Sequence, residues 1–322
     1  MSKFIGIDIS KNTFDLAYQK QDKWVFAPLS NDQKGFKSLL NHLEKDDWVV
    51  MEASGAYSVP LATYLYQKGY QVVVENPFAI KSYSQMMLYR TKTDKKDAKT
   101  IAEYAGKAKL RPWKPATAVI NQLRHLQTAG EGAQKAIQQT SSQVEALKSS
   151  GLLNKQLEKE LLKLIEHLRK QQNSWEERQK KLVEEHYPTT LKALTSIPGI
   201  GPKTAMMLIV ATDNFKKFSN YRQLVAYVGF SPRIRQSGSS IRGRGAICKM
   251  GNALLRKLLY MCTWTAQTCN KTCKALAERL AAKGKPSRVI KVAIAHKLLK
   301  QAFAIANSQQ AYDPAYEAKP CW

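Results

Sequence analysis

Apolar positions recur with a period of two over Lys3 to Ile9 and Thr13 to Gln19, and Lys23 to Leu29 is a short apolar run of strand length. Turn residues separate the three runs at Ser10-Lys-Asn12 and Lys20-Gln-Asp22, so the pattern predicts three short strands, the second and third joined as a hairpin. Phe36, Leu39, Leu40 and Leu43 then recur at helical spacing. Trp48-Val-Val-Met51 reads as a buried strand, Leu61 to Gln67 as a short helix and Gln71-Val-Val-Val-Glu75 as another strand. Thr93 is placed to cap a helix from Asp94 to about Ala108, and Arg111-Pro-Trp-Lys-Pro115 breaks the pattern and marks a boundary. An antiparallel opening followed by alternating helix and strand predicts a mixed α/β layer.

From Ala118 to Leu182 the chain becomes long helix rich in Gln, Lys and Glu, interrupted at Ser149-Ser-Gly151. Leu157, Leu161, Leu164 and Leu168 are spaced as one apolar seam. An antiparallel hairpin, an intermolecular coiled coil, or two helices packed on their neighbours all fit that pattern. Tyr187-Pro188 opens a third, mostly helical region reaching about Ile305, and Ala306 to Trp322 has little periodicity and reads as a loose tail. The expected division is 1–112, 116–185, 187–305 and a flexible tail, 306–322.

Composition narrows the partners. With 322 residues, 44% of them hydrophobic, the chain has ample material for more than one core. Its net charge of +26 calls for a polyanion, and nucleic acid fits better than a membrane. No run approaches 18 apolar residues and no apolar signal core follows the start, so a cytoplasmic protein is expected. Cys248, Cys262, Cys269, Cys273 and Cys321 form no C-x-x-C pair and read as buried free thiols. The five histidines are scattered, which argues against zinc and against a histidine base.

Charge is unevenly spread. Residues 214–277 carry twelve Lys and Arg and no Asp or Glu, and Ser231, Ser237, Ser239 and Ser240 lie there among Arg233, Arg235, Arg242 and Arg244, with Lys249 just beyond. On residue chemistry alone these serines either hydrogen-bond phosphates or supply a nucleophile whose pentavalent intermediate the arginines stabilise. Upstream, Ile197-Pro-Gly-Ile-Gly201 resembles a helix-hairpin-helix turn, in which Gly199 and Gly201 let backbone N–H groups approach a phosphate and Lys203 adds a charge. A plain interhelical turn is the alternative. The N-terminal third supplies the opposite charge: Asp8 and Glu52 end apolar strands, and Asp94 and Asp97 share one face of a helix start. An acid ending an apolar strand is costly to desolvate unless paired or bound to metal. An oxygen-only set of this kind suits Mg²⁺ or Mn²⁺, while turn and capping roles are the plainer alternative.

Taken together, Gly6-Ile-Asp8, Glu52-Ala-Ser-Gly-Ala-Tyr57, Asn76-Pro77, Lys92-Thr-Asp94-Lys-Lys-Asp97, Ile197-Pro-Gly-Ile-Gly201 and Ser237-Gly-Ser-Ser-Ile-Arg-Gly243 resemble the IS110 family of insertion-sequence transposases, in order along nearly the whole chain. The resemblance implies a RuvC-like, ribonuclease H-fold domain, a coiled-coil region and a mostly helical C-terminal transposase domain. It implies that Asp8, Glu52, Asp94 and Asp97 bind Mg²⁺, and that Ser237 is a nucleophile forming a covalent phosphoserine link to DNA. It further implies a bridge RNA that pairs with donor and target DNA, a homo-oligomer, dimer or tetramer, and action at the bacterial nucleoid. The alternative activity is a RuvC-like metal-dependent nuclease or junction resolvase with water as nucleophile.

Overall fold

The computed structural model describes residues 3–91, 93–151, 153–233, 236–237, 241–242 and 246–315. They fall into two compact units that divide after Ala116, just past the Arg111–Pro115 break.

The first unit runs β1 (Phe4–Ile9), β2 (Thr13–Lys20), β3 (Lys23–Ser30), α1 (Gln33–Leu39), β4 (Trp48–Glu52), α2 (Ser58–Gln67), β5 (Gln71–Glu75), α3 (Pro77–Met86) and α4 (Asp94–Lys107). Its strands form one mixed sheet in the order β3-β2-β1-β4-β5. The pairings of β2 with β1 and β3 are antiparallel, and those of β4 with β1 and β5 are parallel. The alternation visible in sequence decides which side chain faces which layer. Ile5, Ile7, Ile9, Val49 and Met51 pack with Phe36, Leu39, Leu61 and Leu65 of α1 and α2. Val50 and Val73 point the other way, to Ile80 of α3 and to Ile101 and Ala105 of α4. Having apolar partners on both faces is why β4 reads as a continuous apolar run.

Helix α4 crosses β1 at Gly6, where an added Cβ would lie 2.1 Å from the Ala98 carbonyl oxygen and 2.4 Å from the Ala102 nitrogen. Only glycine admits that crossing. The expected helix around Phe36 ends at Leu39 and tightens into a 3₁₀ turn, Leu40–His42. Helix α3 was not anticipated, although its start is signalled: Asn76 accepts from the Phe78 N–H at 2.9 Å and Pro77 occupies the first turn.

The second unit opens with α5 (Ala118–Ser149) and α6 (Lys155–His186). They pack antiparallel within the chain: Lys148 Nζ meets Glu158 Oε1 at 2.5 Å, Gln172 donates to Gln134 at 3.2 Å, and Gln179 donates to the Leu123 carbonyl at 3.0 Å. On α5 the buried Leu123, Ile137 and Val144 fall on one face, Ile137 and Val144 seven residues apart. The seam expected on α6 needs correction. Ile165 is buried, whereas Leu157 and Leu164 are 43% and 48% exposed, because the stripe that meets α5 passes through Leu161, Ile165 and Leu168 and leaves the other two on its flank.

Then follow α7 (Pro188–Thr195), α8 (Pro202–Thr212), α9 (Tyr221–Val228), the two-residue strands β6 (Pro232–Arg233), β7 (Gln236–Ser237), β8 (Ile241–Arg242) and β9 (Ala246–Ile247), and helices α10 (Ala253–Cys269), α11 (Lys271–Ala282) and α12 (Ser287–Ser308). Helix α12 is central, with Ile294, Ala295, Leu298, Leu299 and Ala302 fully buried. The loose tail expected from Ala306 is corrected over its first part. Helix α12 continues to Ser308, and Tyr312 is tied down by its N–H to Ser196 Oγ at 2.7 Å and its hydroxyl to Asn270 Oδ1 at 3.2 Å. Among the described cysteines all are free thiols, but only Cys273 is buried; Cys248 and Cys262 are half-buried and Cys269 is exposed, and Cys321 lies outside the described residues. No described helix is long and apolar enough to cross a membrane.

Candidate active site

The acids of the first unit are placed by strand register. Asp8 follows Gly6 by two and therefore faces α4, and Glu52 stands in the same relation to Val50. Parallel pairing sets Ile7 beside Met51, so the next rung brings Asp8 level with Glu52 at the carboxyl ends of β1 and β4. On one flank Asp8 pairs with Asp15 of β2, and on the other Glu52 pairs with Glu75 of β5. Four carboxylates thus rank across four adjacent strands on one face of the sheet, at strand spacings of about 4.8 Å. Asp94 and Asp97 open α4 above them, with Thr93 capping the helix through the Lys96 N–H at 3.3 Å.

Burial raises the Asp15 carboxyl above the ordinary carboxylate range, and the Asp94 charge raises it further. At the far end Glu75 has local partners: its Oε1 accepts from the Asn76 N–H at 2.9 Å, and it adds to the upward shift that burial imposes on the Tyr104 phenol. Like charges on neighbouring rungs repel unless a cation is shared. Among the described residues, no three His, Cys, Asp or Glu side chains are gathered as a ready ligand set. Asp8, Glu52, Asp94 and Asp97 share one end of one layer. Their donor chemistry, hard carboxylate oxygens alone, fits Mg²⁺ or Mn²⁺. Sequence reasoning missed Asp15 and Glu75, although pairing outward from the Ser10-Lys-Asn12 turn puts residue 15 opposite residue 8.

In the second unit the Pro-Gly-Ile-Gly turn joins α7 to α8. Gly199 has a φ of +106°, and an added Cβ would lie 2.7 Å from that of Ala266 on α10. Packing on α10 therefore accounts for this glycine by itself. Ile197 and Ile200 are buried beside it, and the buried Asn270 donates to the Pro198 carbonyl at 3.4 Å. Gly201 is exposed, with nothing near its missing Cβ, and leaves the start of α8 without a side-chain cap. Lys203 is paired with Glu176 of α6 at 2.6 Å.

The arginine-rich segment rises from a firmly built root. Helix α9 ends at Gly229 (φ +85°), where a Cβ would lie 2.5 Å from the Met250 carbonyl oxygen, and at Gly251 (φ +129°) a Cβ would lie 2.1 Å from that of Tyr227. Arg256 donates to the Val228 carbonyl at 2.7 Å, Cys248 N–H to the Ser231 carbonyl at 2.7 Å, and Lys249 N–H to the Gly229 carbonyl at 3.1 Å. Above the root, β6 pairs with β9 and β7 with β8, Ser237 opposite Ile241. Arg233 is exposed. Arg235, Ser239, Ser240 and Arg244 lie outside the described residues, as do the side chains of Ser237 and Arg242. Of the root residues, sequence reasoning named Ser231 and Lys249 but missed Gly229, Gly251 and Arg256, whose signal was the pair of glycines flanking the cationic run.

Comparison with known proteins gives two family matches. Residues 5–152 match the DEDD transposase domain of IS110 elements, and residues 191–278 match a transposase domain described as IS116/IS110/IS902 family. The chain is 29% identical to the "Pilin gene-inverting protein" of Moraxella lacunata over 97% of its own length and 98% of that protein's, and equally to the protein of the same name from Moraxella bovis. It is 28% identical to the "Transposase for insertion sequence element IS1111A" of Coxiella burnetii, over 80% of its length and 76% of that protein's.

Proposed function

The chain belongs to the IS110 family of transposases, enzymes of DNA recombination, and on that premise we propose that it cuts and rejoins donor and target DNA through a covalent Ser237 intermediate, under the guidance of a bound RNA. The observation that carries the acidic half is the carboxylate rank, in which Asp8 and Glu52 end neighbouring parallel strands beneath the start of α4. Its cost in repulsion is understandable where a divalent cation is to be shared. A bound Mg²⁺ or Mn²⁺ supplies Lewis-acid polarisation of phosphoryl oxygens. Asp8, Glu52, Asp94 and Asp97 hold it.

Ser237 Oγ loses its proton and forms a new bond to phosphorus, while the bond from phosphorus to a deoxyribose oxygen breaks and that oxygen leaves as a hydroxyl. The ester energy is kept in the phosphoserine, so attack by a new hydroxyl rejoins DNA without a nucleotide cofactor. Arg233, Arg235, Arg242, Arg244 and Lys249 offset the charge that develops on phosphate, with Ser239 and Ser240 as added donors. The exposed start of α8 at Gly201 binds backbone phosphate. Sequence choice is left to pairing by the RNA, and the protein grips shape and backbone. The net charge of +26 and the inverting and transposing relatives support a nucleic-acid recombinase.

The test is a cleavage reaction on plasmid carrying the element, with Mg²⁺ or chelator, run on denaturing gels after copurified RNA has been sequenced. A protein–DNA adduct that needs Mg²⁺ and vanishes in Ser237→Ala is expected. Metal-dependent cutting with no adduct would identify water as the nucleophile, and an adduct persisting in Ser237→Ala would move the role to Ser239 or Ser240.

A further inference from the structure

Between Glu75 and Asp94 the chain has eighteen residues with Lys81, Arg90 and Lys92 and no acid. Within it, α3 ends in a complete six-residue cap: the Leu88 N–H bonds the Gln85 carbonyl at 3.1 Å and the Tyr89 N–H the Ser84 carbonyl at 3.1 Å. The position that such a cap holds in left-handed conformation is usually glycine. Here it is Leu88, with a φ of +56°. Its side chain is 80% exposed, and its neighbour Met86 is 66% exposed.

Two costs are combined at one residue, backbone strain and an apolar side chain held in water. The two hydrogen bonds of the cap offset the first, nothing in the packing recovers the second, and an exposed apolar side chain kept at a strained position points to function. The cap is also held in place. Tyr89 Oη donates to Glu103 Oε2 on α4 at 2.5 Å, and Tyr83 packs edge-on to Tyr104 with ring centroids 5.8 Å apart. Leu88 is displayed from a fixed mount.

We infer that Met86 and Leu88 form an apolar wedge that enters the base stack of the DNA held at the carboxylate face. Complementary charge commits the surface to nucleic acid, since Lys81 and Arg90 flank it, both exposed, and Lys107 lies 5.5 Å over the Tyr83 ring. Aliphatic wedges of this kind separate base steps and kink duplexes. The mount at Glu103 lies nine residues along α4 from Asp94, about 13 Å at the helical rise. That corresponds to about four base steps. Unstacking there would free a strand for pairing with another, a need that any strand-exchanging enzyme has. The inference rests on the recombinase reading above.

The test uses permanganate reactivity of thymines in supercoiled plasmid carrying the element, with the copurified nucleoprotein complex and Ca²⁺ in place of Mg²⁺. Hyperreactive thymines within about six base pairs of the cleavage position are expected. Leu88→Gly should lower that reactivity at least about five-fold while plasmid retention on filters stays within about two-fold. Because glycine suits the left-handed position, the same variant should raise the melting temperature by roughly 2–5 °C. Ser237→Ala should keep the hyperreactivity. Cleavage by wild type without reactive thymines would overturn the wedge and leave the recombinase intact, whereas failure to bind or cut the plasmid at all would remove both. A fall in oligomer size with Leu88→Gly, at unchanged reactivity, would assign the surface to a second copy of the chain and overturn the inference.

Discussion

The two charged regions of this molecule are built in opposite ways. The acidic one sits on a five-stranded sheet whose register is fixed by two apolar layers, so a shift of one residue would turn Asp8 and Glu52 into the core. The cationic one is carried on two-residue strands above a root of close backbone contacts at Gly229 and Gly251. Position in the first comes from hydrophobic burial spread over many residues. In the second it comes from a few backbone approaches that tolerate no Cβ. The same kind of task, holding like charges side by side, is met once by register and once by anchoring.

Each side of the contrast can be broken separately. Ser237→Ala is expected to have the largest effect, loss of the covalent adduct and at least about 10³-fold slower strand cleavage. Asp94→Asn should weaken metal-dependent cutting while leaving RNA retention on a size-exclusion column unchanged; loss of RNA with it would make that acid structural.

Gly6→Ala should come next, because α4 cannot cross β1 over a methyl group. Roughly 3 kcal/mol of stability should go, read as a lower denaturant midpoint, together with any stabilisation by Mg²⁺. Gly199→Ala meets both a φ of +106° and the Ala266 methyl, and should cost about 1–3 kcal/mol with no change in the Mg²⁺ response. A shared response would mean that the two regions are not built independently.

Asp15→Asn acts in the other direction. It removes one of four ranked like charges, so in chelator the melting temperature should rise by a few degrees, the size expected for relief of cross-strand repulsion of about 0.2–1 kcal/mol. Mg²⁺ should narrow the gap by stabilising wild type more. Lys203→Ala should do least, about 0.5 kcal/mol, since its ion pair with Glu176 is largely exposed. A fall in the salt dependence of DNA retention in that variant would show that the lysine leaves Glu176 for phosphate.

Much of the first unit was readable because burial on both faces writes itself into the chain as period-two and continuous apolar runs. Strands β1 to β5 follow from that pattern, and with them the acids at the ends of β1 and β4. Asp15 and Glu75 escaped because their importance lies in which residue they stand beside, a property of pairing. Helix α3 escaped as well, its Asn76-Pro77 start being a capping signal without a strong apolar stripe behind it. On α6 the spacing of Leu157 to Leu168 was real, but spacing alone does not say which of two adjacent stripes meets α5.

By itself the sequence determined the local elements, the separation of acids from bases and the family, since each is carried by residue type and short-range spacing. The tertiary structure decided the four-strand carboxylate rank, the burial of the Pro-Gly-Ile-Gly turn on α10, the tethering of Tyr312 and the exposure of a strained Leu88. Those depend on contacts between residues far apart in the chain, and hydrophobic periodicity is silent about partners at such distances.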